Sequence, residues 1–185
     1  MPHRVCPWWL GYFLASPIRR WMITPNTVIG PYVHAGMTVL EPGPGMGFFT
    51  LPMAKLVGEK GRVIAVDLQK KMVKRLQQRA QDAGLATRID ARLTSAASLG
   101  ISDLACTVDF TLAFAMVHEL PDAHPFFREV AAASKHGALL LLAEPAGHVK
   151  AKEFEAEVAR AVAAGFTVAE QLNVRRSQAV LLRKI

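Results

Sequence analysis

From residue 37 to the end of the chain, short apolar runs alternate with segments patterned as helices. Four runs rich in Val, Ile and Leu are predicted strands, at 37–42, 62–68, 108–117 and 138–145, and a weaker strand is predicted at 87–93. Helices are predicted at 48–57, at 68–83, from Asp122 to Gly137, and before Gly165. Strands that are apolar along their whole length are typical of a parallel sheet covered on both faces. The sequence therefore predicts an α/β fold with helices on both sides of a mostly parallel sheet.

Two further segments, 166–172 and 177–184, also have strand character. Only residues 173–176 separate them, too few for the helix that a parallel connection needs, so they are predicted to form an antiparallel hairpin. A chain of 185 residues is long enough for one domain with its own core and short for two. We expect an N-terminal helical extension, 1–36, followed by one domain, 37–185.

Composition limits the class of protein. An apolar share of 51% with 20% charged residues is typical of a globular chain. The net charge of +7 includes a basic run at 70–79, which we interpret as the solvated face of a helix, so nucleic acid is an unlikely partner. Two distant cysteines, Cys6 and Cys106, indicate neither a disulfide framework nor a redox pair, which favours the cytoplasm. His3 and Cys6 are too few ligands for a metal site, and no metal is expected.

The N-terminal extension contains an aromatic segment, 7–15, and all three tryptophans of the chain. The segment is far shorter than the roughly 20 residues that span a bilayer. Because tryptophans are costly to leave in water, we expect the extension to pack on its own domain as a lid. Peripheral contact with a membrane surface is the alternative.

A glycine-rich turn follows the first predicted strand. Gly43, Gly45 and Gly47 form G-x-G-x-G, whereas a dinucleotide-binding turn would place its third glycine at position 48, which is Phe48. The turn also lacks the lysine of a phosphate-binding loop. It therefore predicts close approach of a ligand that carries little negative charge.

Acidic residues stand at the ends of the first two strands. Glu41 precedes the turn, and Asp67 ends the second strand 20 positions after Gly47 (67 minus 47). A carboxylate at the position of Asp67 can accept hydrogen bonds from both hydroxyls of a ribose. The ligand is therefore predicted to contain a nucleoside.

Together, the segments "VLEPGPGMG" and "VIAVD" resemble motifs I and II of the class I S-adenosylmethionine-dependent methyltransferases, nearest to the small-molecule enzymes of the quinone-biosynthesis and arsenite type. The resemblance implies a Rossmann-like sheet of seven strands, in the order 3-2-1-4-5-7-6 with strand 7 antiparallel. It also implies S-adenosylmethionine as cofactor. The cofactor-binding residues it implies are Glu41, Gly43, Pro44, Gly45, Gly47, Asp67, Leu68, Ser95, Ala96, Phe114 and Ala115.

The resemblance also implies a role for each group. The backbone of the turn would pass under the methionine part of the cofactor, with Glu41 near the ammonium group. Asp67 would bind the ribose, and Leu68 would pack on adenine. Ser95 stands where the family usually has an Asp near the adenine amino group. The backbone at Phe114 and Ala115 would contact the methionine amine.

The reacting groups are less well defined by the sequence. His118 and Glu119, after the fourth strand, are the best general-base candidates, with Glu144 and His148 after the fifth strand as second choices. We expect a small, partly apolar methyl acceptor. The alternatives are a protein that binds the nucleoside cofactor without catalysis and, against the argument from position 48, an NAD-dependent oxidoreductase.

Overall fold

The computed structural model describes residues 24–185. Within this range it contains five helices and seven strands. The helices are α1 (Pro25–Ile29), α2 (Thr50–Leu56), α3 (Lys70–Asp82), α4 (Ala123–Ala133) and α5 (Ala151–Ala163). The strands are β1 (Thr38–Pro42), β2 (Arg62–Asp67), β3 (Ile89–Leu93), β4 (Val108–Phe114), β5 (Ser134–Pro145), β6 (Phe166–Leu172) and β7 (Ser177–Lys184).

The strands are ordered β3-β2-β1-β4-β5-β7-β6 in one sheet, which confirms the predicted order. β2 pairs in parallel with β1 and with β3, and β4 pairs in parallel with β5. β7 is antiparallel to both β5 and β6, so the predicted hairpin is also confirmed. Crossover helices make the parallel pairs possible, whereas the short connection from β6 to β7 allows only an antiparallel pair.

The described chain forms two compact units, the first ending at Ser95 and the second covering Ala96–Ile185. In the first unit, α3 buries Met72, Val73, Leu76 and Ala80, which recur at helical spacing. The strands β1 and β2 are buried along most of their length. This packing fixes the loops that follow β1 and β2.

In the second unit, the core is built from the buried runs of β4 and β5 and from the apolar face of α4. Asp122, the predicted start of this helix, caps α4, because its carboxylate accepts a hydrogen bond from the His124 amide at 2.9 Å. The α5 helix buries Phe154, Glu157 and Ala161. Glu157 is the unusual member of this set, because it is a carboxylic acid.

Several predicted boundaries were wrong. β4 ends at Phe114 rather than at residue 117, because Ala115 takes a left-handed backbone conformation (φ +56°) and a 3₁₀ turn follows at Val117–Glu119. α4 ends at Ala133, and β5 begins at Ser134 rather than at residue 138. The backbone is already extended at Ser134, whose hydroxyl donates to the Val130 carbonyl at 2.7 Å. A 3₁₀ turn, Ala86–Arg88, occupies the predicted start of β3.

Between residues 24 and 185, no helix is both long enough and apolar enough to cross a membrane. The aromatic segment 7–15, the three tryptophans, His3 and Cys6 lie outside the described residues. The lid and the membrane contact predicted for the extension therefore stay predictions.

Candidate functional site

The glycine-rich turn after β1 has a backbone that requires glycine. Gly43, Gly45 and Gly47 have φ values of +69°, +55° and +84°, in the left-handed region that other residues rarely adopt. The amide of Gly43 donates to the carbonyl of Val66 at 2.9 Å, and that of Gly47 donates to the carbonyl of Pro44 at 3.0 Å. The first of these hydrogen bonds ties the turn to the end of β2.

Gly45 and Gly47 differ in what surrounds them. A Cβ atom at Gly45 would have no neighbour within 4 Å, whereas one at Gly47 would lie 2.5 Å from Cδ1 of Leu76. Gly47 is therefore required for packing of the turn on α3. Gly45 borders open space, which is the property expected of backbone that a ligand approaches closely.

Glu41 is held in place by the helix that follows the turn. The residue is 4% exposed, and its carboxylate accepts a hydrogen bond from the hydroxyl of Thr50 at 2.5 Å. This hydrogen bond orients the carboxylate beside the turn. Sequence reasoning missed Thr50. A threonine at the start of α2 gives no distinct signal, because the hydroxyl and Glu41 are brought together only by the fold.

A basic residue of α3 also contacts the turn. The guanidinium of Arg79 donates to the carbonyl of Met46. Lys70, Lys74 and Arg75 are exposed, as the solvated-face interpretation predicts, but the interpretation is wrong for Arg79. The contact steadies the turn from the side of α3.

Asp67 lies at the end of β2 and is 8% exposed. Its Oδ1 accepts a hydrogen bond from the amide of Gln69 at 2.8 Å, which orients the carboxylate at the strand end. Ionised carboxylates have two acceptor oxygens and can bind more than one donor. Leu68, the next residue, is 37% exposed and presents an apolar surface beside this carboxylate.

The remaining predicted cofactor residues lie around the start of the second unit and the end of β4. Ser95 and Ala96 are both exposed. Phe114 and Ala115 are half-buried, and the Ala115 amide donates to the carbonyl of Ala143 at 2.7 Å. This hydrogen bond holds Ala115 in its left-handed conformation at the end of β4. Backbone strain of this kind is often found at functional sites.

His118 in the second unit is paired with a buried carboxylate. Its Nδ1 lies 2.5 Å from Oε2 of Glu144, which is fully buried. Oε1 of the same carboxylate accepts hydrogen bonds from the backbone amides of Val117 (2.8 Å) and His118 (3.3 Å). The imidazole is thus oriented through Glu144, the second-choice residue of the sequence prediction, while Glu119 acts on it through charge.

The surroundings of His118 set its proton affinity. Burial works to lower the pKa of the imidazole, but the hydrogen bond to Glu144 and the charges of Glu144, Glu119 and Glu157 raise it. The net pKa lies above the ordinary value of 6.5. Because an ionised carboxylate can only accept, Nδ1 carries the hydrogen and Nε2 is left as the basic nitrogen. This arrangement can take a proton from a bound molecule.

Two further side chains belong to this cluster. The ring of His148 lies edge-to-face against that of His118, with 5.0 Å between the centroids. Glu157 of α5 acts electrostatically on both His118 and Glu144. Sequence reasoning missed Glu157, because a glutamate in a helix is usually exposed to solvent. Among residues 24–185 no group of three or more His, Cys, Asp or Glu is arranged to hold a metal ion.

The sequence matches the family model described as a methyltransferase domain over residues 33–178. Because this match covers most of the chain, the protein belongs to that methyltransferase family. The predicted resemblance to the class I S-adenosylmethionine-dependent methyltransferases is confirmed at the level of family and fold. The narrower likeness to the quinone-biosynthesis and arsenite enzymes stays a prediction. No curated protein matches the sequence significantly.

Solved structures share the fold. A SAM-dependent methyltransferase from Aquifex aeolicus is 24% identical, with a TM-score of 0.86 over 98% of this chain and 100% of that one. The cyclase SpnF is 17% identical, with a TM-score of 0.73 over 86% of this chain and 80% of that one. A SAM-dependent O-methyltransferase from Thermotoga maritima is 17% identical, with a TM-score of 0.67 over 87% of this chain and 64% of that one. A cyclase and methyltransferases share this fold, so the reaction must be argued from the site residues.

Proposed function

We propose that this protein transfers the methyl group of S-adenosylmethionine to a hydroxyl group of a small, partly apolar acceptor, with His118 as the general base. The observation that carries the proposal is the 2.5 Å contact between Nδ1 of His118 and the buried carboxylate of Glu144. This contact leaves Nε2 of a well-oriented imidazole to take a proton. The alternative is a protein that binds the cofactor without transferring its methyl group.

Cofactor binding is assigned to the residues that the family resemblance implies. Two observations support the assignment: open space beside Gly45 and the oriented carboxylate of Asp67. In this proposal Glu41 lies near the cofactor ammonium, Asp67 accepts from the ribose hydroxyls and Leu68 packs on adenine. Ser95, Ala96, Phe114 and Ala115 keep the roles that the family resemblance implies.

The need for a base argues for a hydroxyl acceptor. The methyl group of a sulfonium is already activated, so the enzyme must mainly align the nucleophile and exclude water. A neutral amine or a partly ionised thiol attacks without help, whereas a hydroxyl gains most from losing its proton in the transition state. The SAM-dependent O-methyltransferase of Thermotoga maritima shares the fold and is consistent with this acceptor class.

The proposal predicts transfer of label from methyl-tritiated S-adenosylmethionine to simple phenols such as phenol and catechol. Because the acceptor needs a base, the rate with these phenols should exceed the rate with alkyl amines of similar size. Label counted in the extracted product measures the transfer. Transfer to the amines alone would exclude the hydroxyl assignment. Cofactor binding with no transfer to any acceptor would favour the non-catalytic alternative.

Asp67→Ala is expected to weaken S-adenosylmethionine binding by about 1–3 kcal/mol, because ribose hydroxyls would lose charged acceptors. Isothermal titration calorimetry measures the change directly. Asp82→Ala is the matched control, since Asp82 is an exposed acid at the end of α3 and should leave the affinity unchanged. Equal affinities of Asp67→Ala and the wild type would remove Asp67 from the site.

A further inference from the structure

Helix α5 carries a carboxylic acid into the interior of the second unit. Glu157 is 6% exposed, and its Oε2 has no hydrogen-bond partner. Burying an ionised carboxylate without partners is costly, so such a group either has a role or is held neutral. Glu155, two positions earlier on the same helix, is exposed, so α5 does not bury all of its acidic side chains.

Charged groups from three elements act on Glu157. They are Glu144 of β5, His118 of the 3₁₀ turn, and Arg160 and Glu153 of α5 itself. Burial is the main reason that the pKa of Glu157 rises to about 7, and the negative charge of Glu144 raises this pKa further. The positive charges of His118 and Arg160 lower it. A carboxyl in this state can change charge in the same pH range as a histidine.

We propose that Glu157 is a positioning residue that exchanges its proton in step with His118. It is a neutral acid while His118 is neutral, and it becomes a carboxylate when His118 becomes an imidazolium. This inference rests on the proposed function, because it gives the buried carboxyl a part in the general-base step. Glu157 does not contact the reacting atoms in this proposal and acts only through His118.

The protons balance over one turnover. Nε2 of His118 takes the hydroxyl proton as the acceptor oxygen forms its bond to the methyl carbon and the carbon–sulfur bond of the sulfonium breaks. The electron pair of that bond stays on sulfur, which becomes a neutral thioether. Glu157 releases its proton to solvent at this stage, so the cluster gains no net positive charge. When His118 later gives its proton to solvent, Glu157 takes one back, and one proton per methyl group is released in total.

The coupling must be reciprocal, since each group changes the proton affinity of the other by the same amount. The groups that raise the pKa of His118 are Glu144, Glu119 and Glu157, against the opposing effect of burial. The ring of His148 lies against the imidazole as well. Neutralising Glu157 alone should therefore move the titration of His118 to lower pH and leave the Glu144 contact in place.

The test is an NMR titration of the full-length protein with carbon-13 in the histidine rings and glutamate carboxyls. In the wild type we expect Glu157 to titrate with a pKa of about 7. In Glu157→Gln the His118 midpoint should move to lower pH, and in His118→Ala the Glu157 midpoint should move to higher pH. Glu155→Gln is the matched control on the same helix and should move neither.

Stability supplies a second readout. A carboxyl whose pKa is raised from 4.5 to about 7 by folding binds its proton more tightly in the folded state. The wild type should therefore lose stability as the pH rises through this window, and Glu157→Gln should lose less. An ordinary acidic midpoint for Glu157, or a His118 midpoint that Glu157→Gln leaves in place, would overturn the inference.

These titrations also separate the inference from the proposed function, because they need no methyl acceptor. Coupled titration in a protein that transfers no methyl group would disprove only the proposed function. Methyl transfer through His118 with uncoupled titrations would disprove only the role of Glu157. In the active enzyme, Glu157→Gln should move the acidic limb of the kcat profile to lower pH, which a merely structural residue would not do.

Discussion

His118→Ala is expected to lower the rate of methyl transfer to phenol by about 10²–10⁴-fold, the usual contribution of a positioned general base. The imidazole is replaced by a small side chain, so the acceptor hydroxyl would have to lose its proton without help. Affinity for S-adenosylmethionine should stay close to that of the wild type, because the proposal places no cofactor contact on this side chain. Transfer of tritium and calorimetric binding measure the two quantities separately.

Two comparisons make this result specific. His136→Ala removes an exposed histidine of β5 and should retain full activity. An acidic phenol such as 4-nitrophenol is already ionised in mildly alkaline buffer, so His118→Ala should lose far less activity with this acceptor. An equal loss with both phenols would mean that His118 holds the structure and is not the base.

The pH dependence follows from the same assignment. A general base works in its neutral form, and the net pKa of His118 lies above its ordinary value because the hydrogen bond and charge of Glu144 outweigh the opposing effect of burial. Activity should therefore fall as the pH drops through this raised pKa, at a higher pH than an unperturbed histidine would give.

Gly45→Val is expected to abolish cofactor binding while the protein remains folded. A valine at φ +55° strains the turn, and its branched side chain would fill the open space beside Gly45. At about 100 times Kd, a ligand of the folded state stabilises the wild type by about 2.7 kcal/mol, and this stabilisation should be lost. Thermal unfolding with S-adenosylmethionine and S-adenosylhomocysteine measures it, and NADH should have no effect on either protein.

Gly47→Ala is the informative counterpart to Gly45→Val. Its Cβ would meet Leu76, so this variant should lower the unfolding temperature without ligand and tests packing of the turn. Gly45→Ala strains the turn less than valine does and adds much less bulk, so it should bind the cofactor better. Normal stabilisation of Gly45→Val by S-adenosylmethionine would show that the turn does not cradle the cofactor.

The parts of the fold that depend on local pattern were predictable from the sequence. The parallel strands, the hairpin of β6 and β7, and the helix that begins at Asp122 follow from apolar periodicity, connection length and capping chemistry, whereas the order of the strands was implied by the family resemblance. The ends of β4 and α4 were not predictable. Ala115 takes a left-handed conformation that is rare for alanine, and Ser134 leaves the helix well before Gly137. Ala115 is held by the carbonyl of Ala143, and Ser134 pairs with Val108 of β4, so contacts with a neighbouring strand override the local preference.

By itself, the sequence determined where chemistry could occur: a glycine turn, an acid at the end of β2, and a histidine after β4. These signals are visible because each depends on residue type and short spacing along the chain. Only the tertiary structure decided which side chains meet. It paired His118 with Glu144, placed Thr50 on Glu41 and Arg79 on the turn, and buried Glu157. Such contacts join residues far apart in sequence, so no local pattern encodes them, and burial then sets the charge that each group carries.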